Sequence, residues 1–222
     1  MPAIALPDAV RELIRGDDGA DAAAALAEAI AAKASSCPPD DLPNQIAADI
    51  RDGLTEANRV SLVVTGLGWL GGGVGAIESA LLHLIDGAER EVALAVYAMS
   101  AGPGRFWTAL SRALDGGVRG TLIVDRLTEQ DPEMRQWVQS MSERHVGTLR
   151  VLDFRGEDDN DHLHAKIVVA DRRRAVVGSA NLTAHGLLLA HELALLVEGP
   201  AAEEIAERLD LLARSRLVTA RG

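Results

Sequence analysis

The sequence predicts an α/β fold: a sandwich with a mixed, largely parallel sheet flanked by helices, plus a small helical N-terminal segment. Three observations lead there. From residue 59 onward, short β-branched runs alternate with longer amphipathic stretches, the pattern of strands joined by crossover helices. Two later apolar runs follow each other with an arginine-rich turn between them, so an antiparallel hairpin is expected near the end. Residues 1–58, by contrast, are Ala-rich and helix-forming. The domain boundary is therefore placed between 58 and 59, with the main domain spanning 59–222.

In the N-terminal segment, "LPDAVRELI" and "DAAAALAEAIAAKA" read as helices, and "SSCPPDDLP" breaks the chain before the helical "NQIAADIRDGL". The segment reads as a cap or oligomerisation arm, or else as a module that docks a partner. The main domain opens with the strand "RVSLVVT". A helix with Ile77, Leu81, Leu84 and Ile85 on one face follows it. "EVALAVYAM", "RFWTALSRALDGG", "VRGTLIVD", "PEMRQWVQSMSERH" and "TLRVLDF" then alternate strand and helix. "AKIVVAD" and "AVVGSA" form the hairpin around Arg172, Arg173 and Arg174. "ELALLVEG" is a last strand, and "PAAEEIAERLDLLARS" a last helix with Pro200 at its start.

"GLGWLG", residues 66–71, fits G-x-G-x-x-G between a strand and a helix, the order of a dinucleotide site. The glycines run on through "GGGVG", and the next strand, ending near Tyr97, offers no acidic residue for a ribose. A loop at the rim of the sheet is the better reading.

With 48% hydrophobic residues, the 222-residue chain can build a packed core. Its apolar runs stop short of the ~20 residues that cross a bilayer, and "MPAIALPDAVREL" lacks the pattern of a secretory signal. The single cysteine, Cys37, has no partner for a disulfide, which fits a reducing cytoplasm. The net charge of −11 argues against a polyanionic partner, but residues 1–58 carry −7 of it and the remainder only −4. Six scattered aromatics (Trp69, Tyr97, Phe106, Trp107, Trp137, Phe154) form no base-stacking platform in the sequence.

The chemistry concentrates in "HLHAKIVVADRRRAVVGSANLT", residues 162–183. His164 and Lys166 are two apart on a predicted strand and so share a face. Ser179 and Asn181 are two apart on the returning strand. An imidazole, an ammonium, a hydroxyl and a carboxamide would then converge, a set suited to a phosphoryl group. Lys166 is one of two lysines among twenty arginines, and a compact ammonium suits a tight pocket better than a guanidinium fork. Asp171, at the strand end, reads as structural. The string "EDDNDHLH" could bind a metal, although charge on a surface loop is the simpler reading. Arg172, Arg173 and Arg174 read as a solvated turn or a polyanion contact. His191 reads as a flank of the site, and His83, His145 and His185 as ordinary solvent or packing histidines.

The spacing H-x-K-x4-D-x6-G-S-x-N, as His164, Lys166, Asp171, Gly178, Ser179 and Asn181, resembles the signature of the phospholipase D superfamily. An acidic residue that orients the catalytic histidine often lies eleven positions beyond the motif Asn in such enzymes, and Glu192 stands there. The acidic helical N-terminus with "RVSLVVTG", "HAKIVVAD", "VVGSANLT" and "LLVEGP" also resembles the phospholipase D-like component of bacterial DISARM anti-phage systems.

The resemblance implies a phospholipase D-like sandwich and a phosphodiesterase that needs no metal or other cofactor. One motif histidine attacks phosphorus and a second protonates the leaving oxygen. Residues 1–150 hold no second H-x-K. A homodimer with two facing His164 side chains is therefore expected, acting on a phosphodiester in nucleic acid, with other defence-system proteins as possible partners. A lipid headgroup is less expected, because no basic amphipathic helix suits a membrane surface and stable membrane association is not foreseen. The competing class is a catalytically silent scaffold or nucleic-acid-binding subunit of a defence complex.

Overall fold

The computed structural model describes residues 5–15, 19–55, 58–66, 68–69 and 76–221. The chain divides into two compact units, Met1–Asn58 and Arg59–Gly222. No helix among the described residues is long and apolar enough to cross a membrane.

The first unit is three helices, α1 (Leu6–Arg15), α2 (Gly19–Ser36) and α3 (Leu42–Thr55). Despite its alanines it closes a small core of its own. Leu6, Ala9, Val10 and Ala29 are buried, with Leu26, Ile30, Ile46 and Ile50 packed around them. Lys33 and Asp49 join α2 to α3 at 2.7 Å.

In the second unit, eight strands form one sheet in the order β1-β7-β6-β5-β2-β3-β4-β8. The strands are β1 (Arg59–Thr65), β2 (Glu91–Val96), β3 (Arg119–Asp125), β4 (Leu149–Phe154), β5 (Lys166–Ala170), β6 (Arg174–Gly178), β7 (Glu192–Glu198) and β8 (Val218–Arg221). The helices are α4 (Ala76–Asp86), α5 (Gly104–Asp115), α6 (Pro132–Arg144) and α7 (Pro200–Ala213). The sheet is mixed, as expected, but it is not largely parallel. Parallel pairing is confined to β2–β3–β4, where α5 and α6 provide the crossovers. The pairs β2–β5, β5–β6, β6–β7, β7–β1 and β4–β8 are antiparallel. The physical reason lies in the short turn between β5 and β6, which can only reverse the chain, and in the returns of β7 and β8 along their neighbours. The strand β8 was not foreseen, being four residues without an apolar alternation.

Helices pack on both faces, and alternation along the strands sorts the side chains. Val92, Leu94 and Val96 of β2 join Val168 and Ala170 of β5 in a core with Leu81, Leu84, Phe106, Leu110 and Met134 of α4–α6. Ala95, Val169 and Ala175 face the other way, against Ala202, Ala206 and Leu209 of α7. The strand β1 pairs antiparallel with β7 at the sheet edge. That is not the strand of a parallel βαβ unit, so the G-x-G-x-x-G reading has no dinucleotide fold to stand on. Residues 67 and 70–71 of that stretch lie outside the described residues.

Asp171 is structural as expected, but its reach exceeds its own turn. Its backbone is left-handed (φ 52°). Its carboxylate accepts the backbone N–H groups of Glu89 (2.9 Å), Arg90 (2.7 Å) and Glu91 (3.0 Å), at the entrance to β2. Burial alone would raise its pKa. The three N–H donors, aided by the Arg90 guanidinium, override that and hold it below the ordinary aspartate value.

Asn tolerates the same backbone but presents an amide to three donors. Asp171→Asn is therefore expected to lower stability by about 1–3 kcal/mol at neutral pH. A carboxyl with a depressed pKa stabilises fully above its unfolded value and ceases to do so as pH falls through the folded one. Urea titrations should thus show wild type and variant far apart at pH 7 and converging in acid.

Candidate active site

The motif residues gather at one end of the sheet, where β2, β3, β6 and β1 finish and β5 and β7 begin. The strand pairing of β5 ends at Val96↔Lys166, so His164 lies just before the strand and not on it. The same holds on the return, where β6 ends at Gly178 and Ser179 and Asn181 follow it. The shared-face argument from a two-residue spacing therefore does not apply to either pair. Specific bonds hold these residues instead.

Around His164, the Lys166 ammonium donates to the His164 carbonyl at 3.0 Å, and the Tyr97 N–H donates to the Ala165 carbonyl at 3.1 Å. The Tyr97 ring lies 4.4 Å from the His164 ring, centroid to centroid, tilted at 58°. The Lys166 nitrogen stands 4.7 Å from the centre of the same phenol, a cation–π contact. Desolvation lowers the Lys166 pKa, while the charges of Glu192 and Asp125 pull it back up. The result is an ammonium drawn partly out of water beside the imidazole.

On the facing strand, Gly178 has a packing reason to be glycine. A Cβ there would stand 2.4 Å from the Ala194 Cβ and 2.6 Å from the Leu193 carbonyl of β7. The Ser179 hydroxyl donates to the Glu192 carboxylate and accepts the Leu193 N–H at 3.2 Å. Its proton is thus directed to Glu192, not to an incoming phosphate. No hydrogen bond joins Glu192 to His164 among the described residues, although the resemblance implied that Glu192 orients this histidine. Asn181 is held by its neighbours, since Leu182 donates to the Ala98 carbonyl at 3.1 Å and accepts from the Ser100 N–H at 3.0 Å. The Asn181 Oδ1 is buried and makes no hydrogen bond among the described residues.

His191 accepts the Gly68 N–H through Nε2 at 2.8 Å, and a Cβ on Gly68 would stand 2.4 Å from that nitrogen. It therefore holds Gly68 in place beside the start of β7. Of the three turn arginines, Arg172 pairs with Asp210 at 2.8 Å and Arg174 donates to the Gly87 carbonyl at 2.9 Å. Both serve the fold at the sheet end away from His164. The acidic run 157–161 is largely occupied with its own turn: Asp158 accepts from Asn160 at 2.7 Å, and Asp161 from Glu157 at 3.0 Å. Among the described residues no three His, Cys, Asp or Glu side chains converge as a metal site would require. His145 is buried against Asp115, 3.2 Å away.

Sequence reasoning missed Tyr97, Asp125 and Gln130. Gln130 donates through Nε2 to the carbonyls of Tyr97 (2.9 Å) and Asp125 (2.6 Å) and accepts the Met99 N–H at 3.0 Å. It ties the ends of β2 and β3 together beneath His164. An acidic residue closing the strand "VRGTLIVD" was the available signal.

Comparison with known proteins agrees with this geometry. Residues 81–212, more than half the chain, match the family described as cardiolipin synthase, PLD-like domain. The DISARM protein DrmC of Bacillus paralicheniformis is 26% identical over 118 residues, covering 53% of this chain and 48% of that protein. The chain thus aligns with about half the length of the curated relative. Nuc of Salmonella typhimurium, a phospholipase D family member, superposes with a TM-score of 0.59 at 17% identity, over 74% of this chain and 98% of that one. NucT of Helicobacter pylori gives 0.58 at 16%, over 71% and 97%. The phosphatidylserine synthase of Haemophilus influenzae gives 0.60 at 18%, over 83% and 48%. At those identities the structural likeness is one of fold. A family match across α4 to α7, over strands that bring the H-x-K and G-S-x-N segments to one end of the sheet, makes this chain a member of the phospholipase D-like family.

Proposed function

We propose that the chain is a metal-independent phosphodiesterase, a nuclease of anti-phage defence, which works through a phosphohistidine on His164 at a homodimer interface. The observation that carries the reading is that the His164 ring and the partly desolvated Lys166 ammonium both lie against the Tyr97 ring, with Lys166 donating to the His164 carbonyl. A nucleophilic nitrogen beside a cation is what in-line displacement at a phosphate diester demands. His164 forms a bond to phosphorus as the first P–O bond breaks. Lys166 balances charge on the non-bridging oxygens, and Asn181 adds a neutral contact. Ser179 and Glu192 brace the facing strand. The defence role and any further partner proteins draw support from the DISARM relative.

Support for a second copy comes from an exposed apolar patch on β1 and β7. Leu62 and Leu195 are register partners there, 63% and 39% exposed, with Val60 and Leu193 exposed beside them. An apolar sheet surface of this kind calls for cover, which a second copy of the chain would supply.

In excess EDTA, wild type should cleave bis-p-nitrophenyl phosphate and labelled single- or double-stranded DNA, and His164→Asn should lose roughly 10³-fold or more, the scale of removing a nucleophile. Turnover that needs added metal, or that survives in the variant, contradicts the mechanism. Light scattering should find a dimer, and a double variant Leu62→Glu, Leu195→Glu should become monomeric and inactive. An active monomer removes the dimer from the account. Because burial lowers the Lys166 pKa, activity should fall on the alkaline side at a pH below the ordinary lysine range, as the ammonium is lost. A kcat/KM profile flat through that range rules out an essential Lys166 charge.

A further inference from the structure

Tyr97 stands where the two halves of the motif are tied together. Its N–H extends the β2–β5 pairing by one bond, to the Ala165 carbonyl at 3.1 Å, and its carbonyl accepts Gln130 Nε2 at 2.9 Å. Just beyond it, the Ala98 carbonyl accepts the Leu182 N–H at 3.1 Å, and the Ser100 N–H donates to the Leu182 carbonyl at 3.0 Å. The stretch that carries this tyrosine is therefore bonded to the residue before Lys166 and to the residue after Asn181. A ring rooted on backbone held from both sides is a rigid surface for its neighbours.

Two groups of the motif meet that surface. The His164 imidazole lies 4.4 Å away, centroid to centroid, and the Lys166 nitrogen stands 4.7 Å from the ring centre. No hydrogen bond reaches the phenol oxygen among the described residues, so the ring and not the hydroxyl makes the contact. The nearby carboxylates are committed elsewhere. Asp125 accepts the Leu163 N–H at 2.8 Å and pairs with His162 Nδ1 at 3.0 Å, and Glu192 accepts from Ser179. Both act on Lys166 through their charge, but neither forms an ion pair with it among the described residues. Ile77 and Leu81 of α4 and Gly178 of β6, beside Lys166, bring no charge. A carboxylate in direct contact would cancel the charge that a phosphate needs. An aromatic face attracts the cation through its quadrupole and leaves the charge in place.

We propose that Tyr97 is the positioning residue of this site, its ring setting the His164 imidazole and the Lys166 ammonium in one relation without neutralising the cation. The consequence for turnover rests on the phosphodiesterase reading above. In-line displacement is sensitive to small misplacements of the attacking and charge-balancing groups, so the ring governs rate although none of its atoms bonds to phosphorus. The contact also favours the protonated form of Lys166 and so opposes the desolvation that lowers its pKa. Without the ring, Glu192, Asp125 and the imidazoles of His162 and His164 still surround the amine, and it gives up its proton at a lower pH.

The composition allows a direct test, because the chain has one tyrosine and two lysines. In the full chain grown with isotope-labelled lysine, Lys33→Arg leaves Lys166 as the single lysine signal. Its ε-protons should lie upfield of the random-coil position, displaced by the Tyr97 ring current. Tyr97→Leu should abolish that displacement and lower the pH at which Lys166 titrates by about half a pH unit or more. In EDTA, the same variant should lower kcat on bis-p-nitrophenyl phosphate about tenfold or more, with KM changed less. The alkaline limb of its kcat/KM profile should move down with the titration. Tyr97→Phe, which keeps the ring, should recover most of both effects. Undisplaced ε-protons on native Tyr97 overturn the assignment without any Tyr97 variant having to fold. A Lys166 titration indifferent to Tyr97→Leu, or a Tyr97→Phe enzyme as impaired as Tyr97→Leu, overturns it as well. Wild type inert toward the diester while the spectra behave as described overturns the phosphodiesterase reading, and with it the place of Tyr97 in a reaction.

Discussion

Three backbone N–H groups of Glu89, Arg90 and Glu91 end on the carboxylate of Asp171, and this fixes where β2 starts relative to β5. From there the antiparallel register runs from Val92↔Ala170 to Val96↔Lys166, and it is closed by the Tyr97 N–H on the Ala165 carbonyl. Everything at the far end of the sheet inherits this alignment. A slip of one residue would turn Lys166 from the α4–α6 face to the α7 face and carry Tyr97 away from His164. The clamp and the motif histidine sit at opposite ends of one strand pair, so a residue remote from His164 decides where His164 and Tyr97 stand.

The site relies on few charges. The chain carries a net −11, and two of its turn arginines are spent on Asp210 and the Gly87 carbonyl. On the proposed mechanism a phosphate would meet one ammonium, drawn partly from water and subject to the charges of Glu192 and Asp125. Such a charge acts at short range in a medium less polar than water. It would select a group already beside it and do little to attract one from afar.

Much of this was legible in the sequence, for identifiable reasons. β-branched runs alternating with amphipathic stretches located β1 to β7 and α4 to α7, because those elements bury a face, and helix-forming composition located α1 to α3. The four-residue β8 lacks such a pattern and is held by side chains instead, with Arg221 donating to the buried Asp153 at 2.6 Å. The proportion of parallel pairing was misjudged, since it depends on which distant strands become neighbours, and no local pattern encodes that. The motif spacing drew attention to His164, Lys166, Ser179, Asn181 and Glu192. It did not foresee that Ser179 would bond Glu192, or that Asp125, 37 residues before His162, would hold it. These contacts join segments that only the sheet order brings together.

The motif glycine illustrates a distinction that a spacing pattern conceals. Gly178 is small because β7 passes too close for a Cβ, and Asp171 is acidic because three amides need an acceptor; neither fact concerns phosphorus. The letters of the motif thus fall into two alphabets, one written by the fold and one by the reaction. A descendant that abandoned catalysis would be free to drift at His164, Lys166 and Asn181 while Asp171 and Gly178 stayed in place. Across a lineage, the two sets should erode on separate clocks. The presence of the structural letters alone would then certify an inherited shape, not a surviving enzyme.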